Sequence, residues 1–320
     1  MSFWQSKFKI GSIEVPRFIG GPLDGITDSP FRQIVRDFSK DELLFTEMRH
    51  VSSVAHPKGC QLALTFDQLE RPLNYQISAN QIGQILPACE RILATGVDMI
   101  DLNIGCPAKN VVRSGSGSAL MSDLPRLKSI LETIRAAVPI PFTLKMRAGF
   151  KSVNAVTVAM LAQDCGVDAI SIHPRLQTQL FEGQPDYTVA AAVKAAVSIP
   201  VIISGGVVNW ATAQRVHEIT GVDGFLIGRG IWGRPWKLKE LHENSQGREF
   251  IVTPAMVLNS AVNQLNGMIK FYGPRGLFAF RKHLPFYLKG RAGVSEIRAR
   301  LAVSSSAEEV EAGLRDFWKE

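Results

Sequence analysis

The sequence predicts an α/β protein, a (β/α)8 TIM barrel followed by a small all-helical C-terminal domain. Eight short apolar runs alternate with longer segments of helical periodicity, which indicates a parallel sheet. The eight units extend over about the usual length of a closed barrel. An open doubly wound sheet often carries a G-x-G-x-x-G motif after its first strand, and this sequence has none there. After about residue 242 only helical periodicity remains.

The predicted strands are short and rich in aliphatic and β-branched residues. They are residues 17–20, 43–46, 73–77, 99–102, 142–146, 169–172, 200–203 and 224–227. Helical patterns lie between them, for example at 124–138 and 154–166. Three strands follow a Gly-Val-Asp sequence in which the glycine suits a helix C-terminus.

Three segments are expected along the chain. Residues 1–242 form the catalytic barrel, with a hairpin at 7–16 closing its bottom. The polar stretch 243–253 ends at Thr253, directly before Pro254, and is expected to be a linker. Residues 254–320 form the helical domain.

Composition favours a soluble, folded protein. Apolar residues make up 46% and charged residues 20%, with no apolar run of membrane-spanning length. The N-terminus is interrupted by Lys7 and Lys9 and lacks a signal-peptide core, so a cytoplasmic protein without membrane contact is expected. The four cysteines form no C-x-x-C pair, so neither a disulfide framework nor a metal site is expected.

Positive charge is concentrated in the helical domain. The formal net charge is +7, and residues 270–300 alone hold eight Lys or Arg and one acid, the same surplus. Such a cluster suits the phosphate backbone of RNA, whereas the interleaved aromatics suit a core. The residues expected to contact RNA, including three near the barrel mouth, are Lys109, Arg113, Arg175, Arg281, Lys282 and Lys289.

Polar or reactive residues follow most of the predicted strands. In barrels of this kind the chemistry lies at the C-terminal ends of the strands. The residues at those ends include Pro22, Leu23, Asp24, Glu47, Met48, Gln76, Asn103, Cys106, Lys145, Arg147, His173 and Arg175.

Two glycine-rich turns follow strands seven and eight, at Ser204, Gly205 and Gly206 and at Gly228 and Arg229. Barrels often bind a phosphate there through backbone N–H groups, because glycine permits close approach. Two tight turns without a ligand are the alternative. The two turns together with Lys145 on strand five favour the phosphate site.

Three side chains allow a structural or a chemical interpretation. Cys106 stands on a Gly-Pro turn in DLNIGCPAKN, either as a small loop residue or as a reactive thiol. Lys145 is either a structural lysine of the bottom layer or, as its place near the strand's C-terminal end favours, a group that could form a Schiff base or face an electron-rich ring. His173 is a core histidine or a site residue, and its place at a strand end favours the site.

Several motifs, in order, resemble the tRNA-dihydrouridine synthases. They are GGPLDGITDSPFR, DLNIGCPAKNV, LKMRAGF, IHPRLQTQLFEG and LIGRGIWGRPW. The stretch FYGPRGLFAFRKHLPFYLKG resembles the helical domain of the bacterial B subgroup. The similarity extends from about residue 15 to the C-terminus.

The resemblance implies FMN as cofactor, NADPH as reductant and a D-loop uridine of tRNA as substrate, without fixing which uridine. It implies hydride transfer to uracil C6 and a proton from Cys106 to C5. Lys145 would face the N1/O2 edge of the flavin, and His173 would help to hold it. The other residues implied at the cofactor are Pro22, Leu23, Asp24, Gln76, Asn103, Ser204, Gly205, Gly206, Gly228 and Arg229.

The chain departs from the family pattern at four places. Leu23 replaces a methionine, Ser204 to Gly206 replace Asn-Gly-Asp/Glu, Pro174 replaces a glycine, and the segment 76–80 lacks a glycine. These changes bear on cofactor geometry rather than on the class.

Two other functions fit parts of the pattern. One is an FMN barrel oxidoreductase for a small molecule, dihydroorotate-type or ene-reductase-like, which would have no use for the basic helices. The other is an RNA-binding folding aid, which would not need Cys106, Lys145 and His173. A monomer without an obligate protein partner is expected.

Overall fold

The computed structural model describes residues 2–319 and contains a closed barrel of eight parallel strands. The ring closes because the strand at Leu44–Phe45 pairs with those at Phe18–Gly20 and Leu73–Ser78. The last strand, Gly224–Ile227, pairs with Phe18–Gly20. A short antiparallel hairpin, β1 (Phe8–Ile10) and β2 (Ile13–Val15), precedes the barrel. The barrel strands are β3 (Phe18–Gly20), β4 (Leu44–Phe45) with its continuation β5 (Arg49–His50), β6 (Leu73–Ser78), β7 (Met99–Asn103), β8 (Phe142–Gly149), β9 (Ala169–Leu176), β10 (Val201–Ser204) and β11 (Gly224–Ile227).

The eight predicted strands are therefore confirmed, although the second is interrupted and two are longer. Between β4 and β5 the Thr46 side-chain oxygen, rather than a backbone carbonyl, accepts from the Gln76 N–H at 2.9 Å. Strands β8 and β9 extend past the barrel rim with a register shift between Arg147 and Gly149. Pro174, which has no N–H, lies beyond the last β10 partner of β9, Ile172.

The helices lie around the barrel and beyond it. They are α1 (Ser29–Arg36), α2 (Val51–Ala55), α3 (Ile85–Leu93), α4 (Lys109–Arg113), α5 (Leu124–Ala137), α6 (Ala155–Asp164), α7 (Tyr187–Ala196), α8 (Trp210–Thr220), α9 (Lys237–Ser245), α10 (Pro254–Tyr272), α11 (Arg275–Phe280), α12 (Leu284–Tyr287), α13 (Val294–Val303) and α14 (Ala307–Trp318). Short 3-10 turns occur at Phe3–Gln5, Leu62–Leu64, Gln68–Glu70, Ile82–Gln84, Gly117–Ser122, Gln177–Gln179 and Arg229–Ile231.

The hairpin fills the N-terminal end of the barrel. Phe8, Ile10 and Val15 are buried in one cluster with inward side chains of the strands, such as Ile19 and Leu226. The chemistry must therefore lie at the opposite, C-terminal end, where the strand termini are accessible.

The helices from Pro254 onward form a second hydrophobic cluster, which includes Leu265, Phe280 and Leu314 and also Trp236, which precedes α9. Helix α9 crosses the proposed boundary at residue 242, and residues 246–253 carry no helix or strand. The division into a barrel, a linker and a helical domain stays a prediction. Among residues 2–319, no helix combines the length and the apolar character needed to cross a bilayer.

Candidate active site

A cleft of about 320 Å³ lies at the C-terminal ends of the barrel strands. Every residue predicted as catalytic or cofactor-binding contributes to its walls. They are Pro22, Leu23, Asp24, Gln76, Asn103, Cys106, Lys145, His173, Ser204, Gly205, Gly206, Gly228 and Arg229. The structure thus brings together residues that are up to about two hundred positions apart in sequence, while their individual roles stay predictions.

Cys106 lies on a turn that one asparagine shapes. The Asn103 side-chain oxygen accepts from the backbone N–H groups of Gly105 at 2.9 Å and Cys106 at 2.8 Å. Ser118 donates its backbone and hydroxyl hydrogens to the Cys106 carbonyl. The thiol is half-buried in the cleft wall, so both flanks of the turn are fixed while the side chain stays accessible.

The cleft presents cationic and neutral nitrogen groups. Burial lowers the pKa of Lys145 to about 8, although the charge of Asp101 acts in the opposite direction. Burial and the surrounding cations, Lys145 first, lower the pKa of His173 to about 2. His173 is therefore a neutral imidazole at physiological pH, and its Nε2 lies 2.8 Å from Nη1 of Arg175, from which it accepts.

The turn after β10 gives a close backbone approach that only glycine allows. Gly205 has φ +95° and Gly206 φ +82°. A Cβ on Gly205 would stand 2.6 Å from a ring carbon of His173, and one on Gly206 would overlap the Tyr187 hydroxyl. Arg229 follows the neighbouring strand β11, and its guanidinium lies 4.8 Å from the ring centre of Phe181. Glycine backbone and a cation thus line the same cleft, an arrangement typical of sites that bind anions.

Arg147 lines the cleft, although its sequence position marks it only as a strand-end residue. It is 2% exposed and donates to the carbonyls of Gly105, Leu176 and Leu180 at 2.8–2.9 Å. A single guanidinium thus joins the Cys106 turn to the loop after β9. Its position inward on β8, beside Lys145, was the available sequence signal.

The loop after β9 holds another residue that sequence reasoning missed. Phe181 lines the cleft, is 54% exposed and lies near the guanidiniums of Arg147 and Arg229. It follows Leu180, a non-glycine residue at φ +52°. An isolated aromatic in a polar loop gave no sequence signal for this placement.

The structure corrects the position expected for Arg175. Its residue exposure is 7%, and its guanidinium donates to His173 and to the carbonyls of Glu182 and Gly183. These hydrogen bonds hold the guanidinium inside the loop after β9. Arg175 is therefore not one of the exposed cations near the barrel mouth. Sequence alone placed it at the right strand end but could not show the direction of its side chain.

The other cations proposed for RNA lie outside the cleft. Lys109 and Arg113 are exposed on α4, directly after the Cys106 turn. Lys282 and Lys289 are exposed on the helical segment, and the Lys282 ammonium lies 3.1 Å from where a Cβ on Gly25 would stand. Arg281 differs, because it is half-buried and donates to the Ser304 carbonyl at 2.7 Å.

The fold and the cleft together are typical of a barrel enzyme, with a thiol at the mouth of the barrel. The family model described as Dihydrouridine synthase (Dus) matches residues 19–320. A tRNA-dihydrouridine synthase B of Pseudomonas aeruginosa is 34% identical, covering 98% of this chain and 97% of the relative. One of Yersinia pestis is 34% identical, covering 95% and 97%. A probable tRNA-dihydrouridine synthase 1 of Synechocystis is 31% identical, covering 96% and 88%.

This chain therefore belongs to the dihydrouridine synthase family and is similar to its bacterial B members. The family expected from the sequence motifs is confirmed. The relatives are matched along nearly their full length, so the similarity includes the C-terminal helices as well as the barrel.

Proposed function

We propose that this protein reduces a D-loop uridine of tRNA to 5,6-dihydrouridine, with FMN as cofactor and NADPH as reductant. The observation that carries the proposal is the single cleft in which a thiol, a half-buried lysine, two amides and a glycine turn meet. Family membership supplies the reaction, and the relatives' names identify tRNA as what they modify.

The residues present fit a flavin phosphate. The left-handed Gly205 and Gly206 offer backbone where any side chain would collide, and Arg229 supplies positive charge. Gln76, Asn103 and Lys145 offer polar groups to the pyrimidine part of such a ring. When bound and reduced, FMN would supply the hydride that adds to uracil C6.

The protein's own contribution is then to hold the base and to deliver a proton. Hydride addition at C6 leaves the electron pair of the former double bond at C5, delocalised onto O4. The Cys106 thiol gives its proton to C5, and the resulting thiolate regains a proton from solvent. The half-exposed position of Cys106 allows that exchange.

Lys145 would provide positive charge at the N1/O2 edge of the flavin, where negative charge develops. Because burial lowers its pKa to about 8, the ammonium is charged at neutral pH but poorly solvated. A desolvated cation stabilises an anion more strongly than one in water. We therefore assign Lys145 an electrostatic role, whereas Cys106 moves the proton.

The substrate base must leave its RNA stack to enter the cleft. Exposed cations on both sides of the mouth, Lys109 and Arg113 on α4 and Lys282 on the helical segment, support docking of the phosphate backbone.

Nucleoside analysis of tRNA from a deletion strain tests the proposal. The strain should lack one dihydrouridine, restored by the wild-type gene and by Cys60→Ala but not by Cys106→Ala. The purified Cys106→Ala protein should still bind FMN and oxidise NADPH at a rate within about twofold of wild type, because the thiol acts only after the reductive half-reaction. Full dihydrouridine content in the strain carrying Cys106→Ala would refute the assignment of the acid.

A further inference from the structure

A chain of buried polar side chains lies directly beneath the cleft. Asp101 on β7 is fully buried, and its Oδ2 accepts from Nε2 of Gln76 at 2.8 Å. Oε1 of Gln76 accepts from Nδ2 of Asn103 at 2.9 Å. Oδ1 of Asn103 in turn accepts from the backbone N–H groups of Gly105 and Cys106. The chain thus leads from a carboxylate in the barrel to the turn that holds the thiol.

The direction of every hydrogen bond in this chain is fixed from both ends. Backbone N–H groups can only donate, so the Asn103 oxygen must face the turn and its NH2 must face Gln76. At the other end the Asp101 oxygens accept from Gln76 and, at 2.6 Å, from the Thr143 hydroxyl. The two amides cannot be reversed without breaking a bond at one end.

One consequence concerns the polarity of the cleft. Gln76 and Asn103 each use their oxygen within the chain and one N–H within the chain. Each NH2 group keeps a second hydrogen, and both residues line the cleft. These two amides form the floor of the cleft, and their remaining N–H groups suit the carbonyl oxygens and deprotonated nitrogens of a pyrimidine ring.

We propose that Asp101 is a positioning residue that, through Gln76 and Asn103, fixes the turn of Cys106 and makes the cleft floor a donor surface. The inference rests on the proposed function only in naming Cys106 as the proton donor. Burial raises the pKa of Asp101 to about 7, while the hydrogen bonds from Thr143 and Gln76 favour its ionised, doubly accepting form.

The test uses Asp101→Leu, which removes both acceptor oxygens and keeps the branched shape of the side chain. The readout is the rate at which iodoacetamide alkylates Cys106 in the FMN-free protein, in a Cys60→Ser background that removes the other half-exposed thiol. We expect alkylation about fivefold faster, the change that corresponds to the loss of one hydrogen bond of about 1 kcal/mol in holding the turn. FMN affinity should fall as well, because the donors of the floor lose their orientation.

Asp101→Asn is the rescue variant. Its oxygen can accept from Gln76, and its NH2 can donate to the Thr143 hydroxyl. The hydroxyl hydrogen can then turn to Oδ1 of Asn74 once the Asn74 amide, which donates from Nδ2 to this hydroxyl at 2.9 Å, rotates by 180°. That oxygen has no hydrogen-bond partner among residues 2–319. We expect alkylation within about twofold of the parent, because the chain stays intact. Thr143→Val, which removes a bond to the same carboxylate outside the chain, should also leave the rate unchanged.

Gln76→Met cuts the chain one link later and provides a second route if Asp101→Leu does not fold. It should accelerate alkylation of Cys106 to a similar extent. The double variant should react no faster than either single variant, because both substitutions interrupt the same series of hydrogen bonds. Rates equal to the parent in both single variants would overturn the proposal. So would Asp101→Asn reacting as fast as Asp101→Leu, which would assign the effect to the lost charge. Since alkylation uses neither FMN nor tRNA, these outcomes stay separate from any failure of the proposed reaction.

Discussion

At the scale of single residues, the sequence indicated the position of functional groups better than their direction. The turn after β10 was predicted to bind a phosphate because it holds two glycines, and the structure gives both of them positive φ values. Arg175 was also placed at the correct strand end, yet its side chain points inward to His173. Strand position follows from the pattern of apolar residues, but side-chain direction depends on loop carbonyls that a sequence does not locate.

Gly205→Ala should impair FMN binding. The new Cβ would lie 2.6 Å from the His173 ring at a backbone φ of +95°, so either the turn or the imidazole must move. We expect FMN affinity to fall about tenfold or more, measured by fluorescence titration of the FMN-free protein. Gly221→Ala is the matched control, because Gly221 has φ +63° with open space around it. That variant should lose about 1 kcal/mol of stability and keep its FMN affinity; equal affinities in both variants would contradict the prediction.

At the scale of elements, a repeated device joins neighbouring strands at the bottom of the barrel. The aspartates of the three Gly-Val-Asp sequences accept from the first N–H of an adjacent strand, each at 2.8 Å: Asp98 from Leu73, Asp168 from Phe142 and Asp223 from Val201. Each also pairs with a cation, namely Arg71, Arg135 and Lys194. The sequence predicted the glycine caps, and Gly96, Gly166 and Gly221 do have positive φ. The role of the aspartates depends on strand neighbours, which appear only in the closed sheet.

A second device joins helix α1 to helix α10, and it should make stability depend on pH. Asp28 caps α1 through the Phe31 N–H and accepts from the Tyr272 hydroxyl at 2.9 Å. Burial raises its pKa from 3.8 to about 6. Because the folded pKa lies above the unfolded one, the folded state binds the proton more tightly. Protonation of Asp28 therefore contributes to the free energy of unfolding in full below about pH 4. That contribution, about 3 kcal/mol, is lost as the pH rises through 6.

Asp28→Asn should remove that dependence. Asparagine can still cap α1 and bond to Tyr272, but it carries no charge to bury. We expect the variant to have a higher melting temperature than wild type at pH 7.5, and the difference between the two should shrink towards pH 4.5. Thermal unfolding measured at several pH values across this range checks the prediction. The exposed Asp41→Asn serves as the control and should follow the wild-type profile. Parallel profiles for Asp28→Asn and wild type would show that the buried carboxyl does not control stability.

At the scale of the whole molecule, the C-terminal helices extend the mouth of the barrel. Lys282 reaches Gly25, in the same loop that supplies Pro22, Leu23 and Asp24 to the cleft. Lys289 lies 4.6 Å from the ring centre of Phe286, which stacks on Trp232 after β11. The sequence predicted a basic helical region from its charge surplus. It could not show that this charge borders the cleft, because that depends on how the helices pack against the barrel.

The double variant Lys282→Glu, Lys289→Glu should weaken tRNA binding while FMN stays bound. Both ammonium groups are exposed, so their replacement removes cations that face RNA phosphates without disturbing a core, unlike Arg281, which bonds to Ser304. We expect the salt dependence of log K to become shallower by about 0.7–0.9 for each RNA phosphate that is no longer neutralised, measured by tRNA titration at several salt concentrations. Lys9→Glu, Lys128→Glu carries the same charge change at exposed sites on the bottom hairpin and on α5. If the control weakens binding equally, total charge rather than the mouth of the cleft determines docking. If neither variant changes the slope, the RNA binds elsewhere on the molecule.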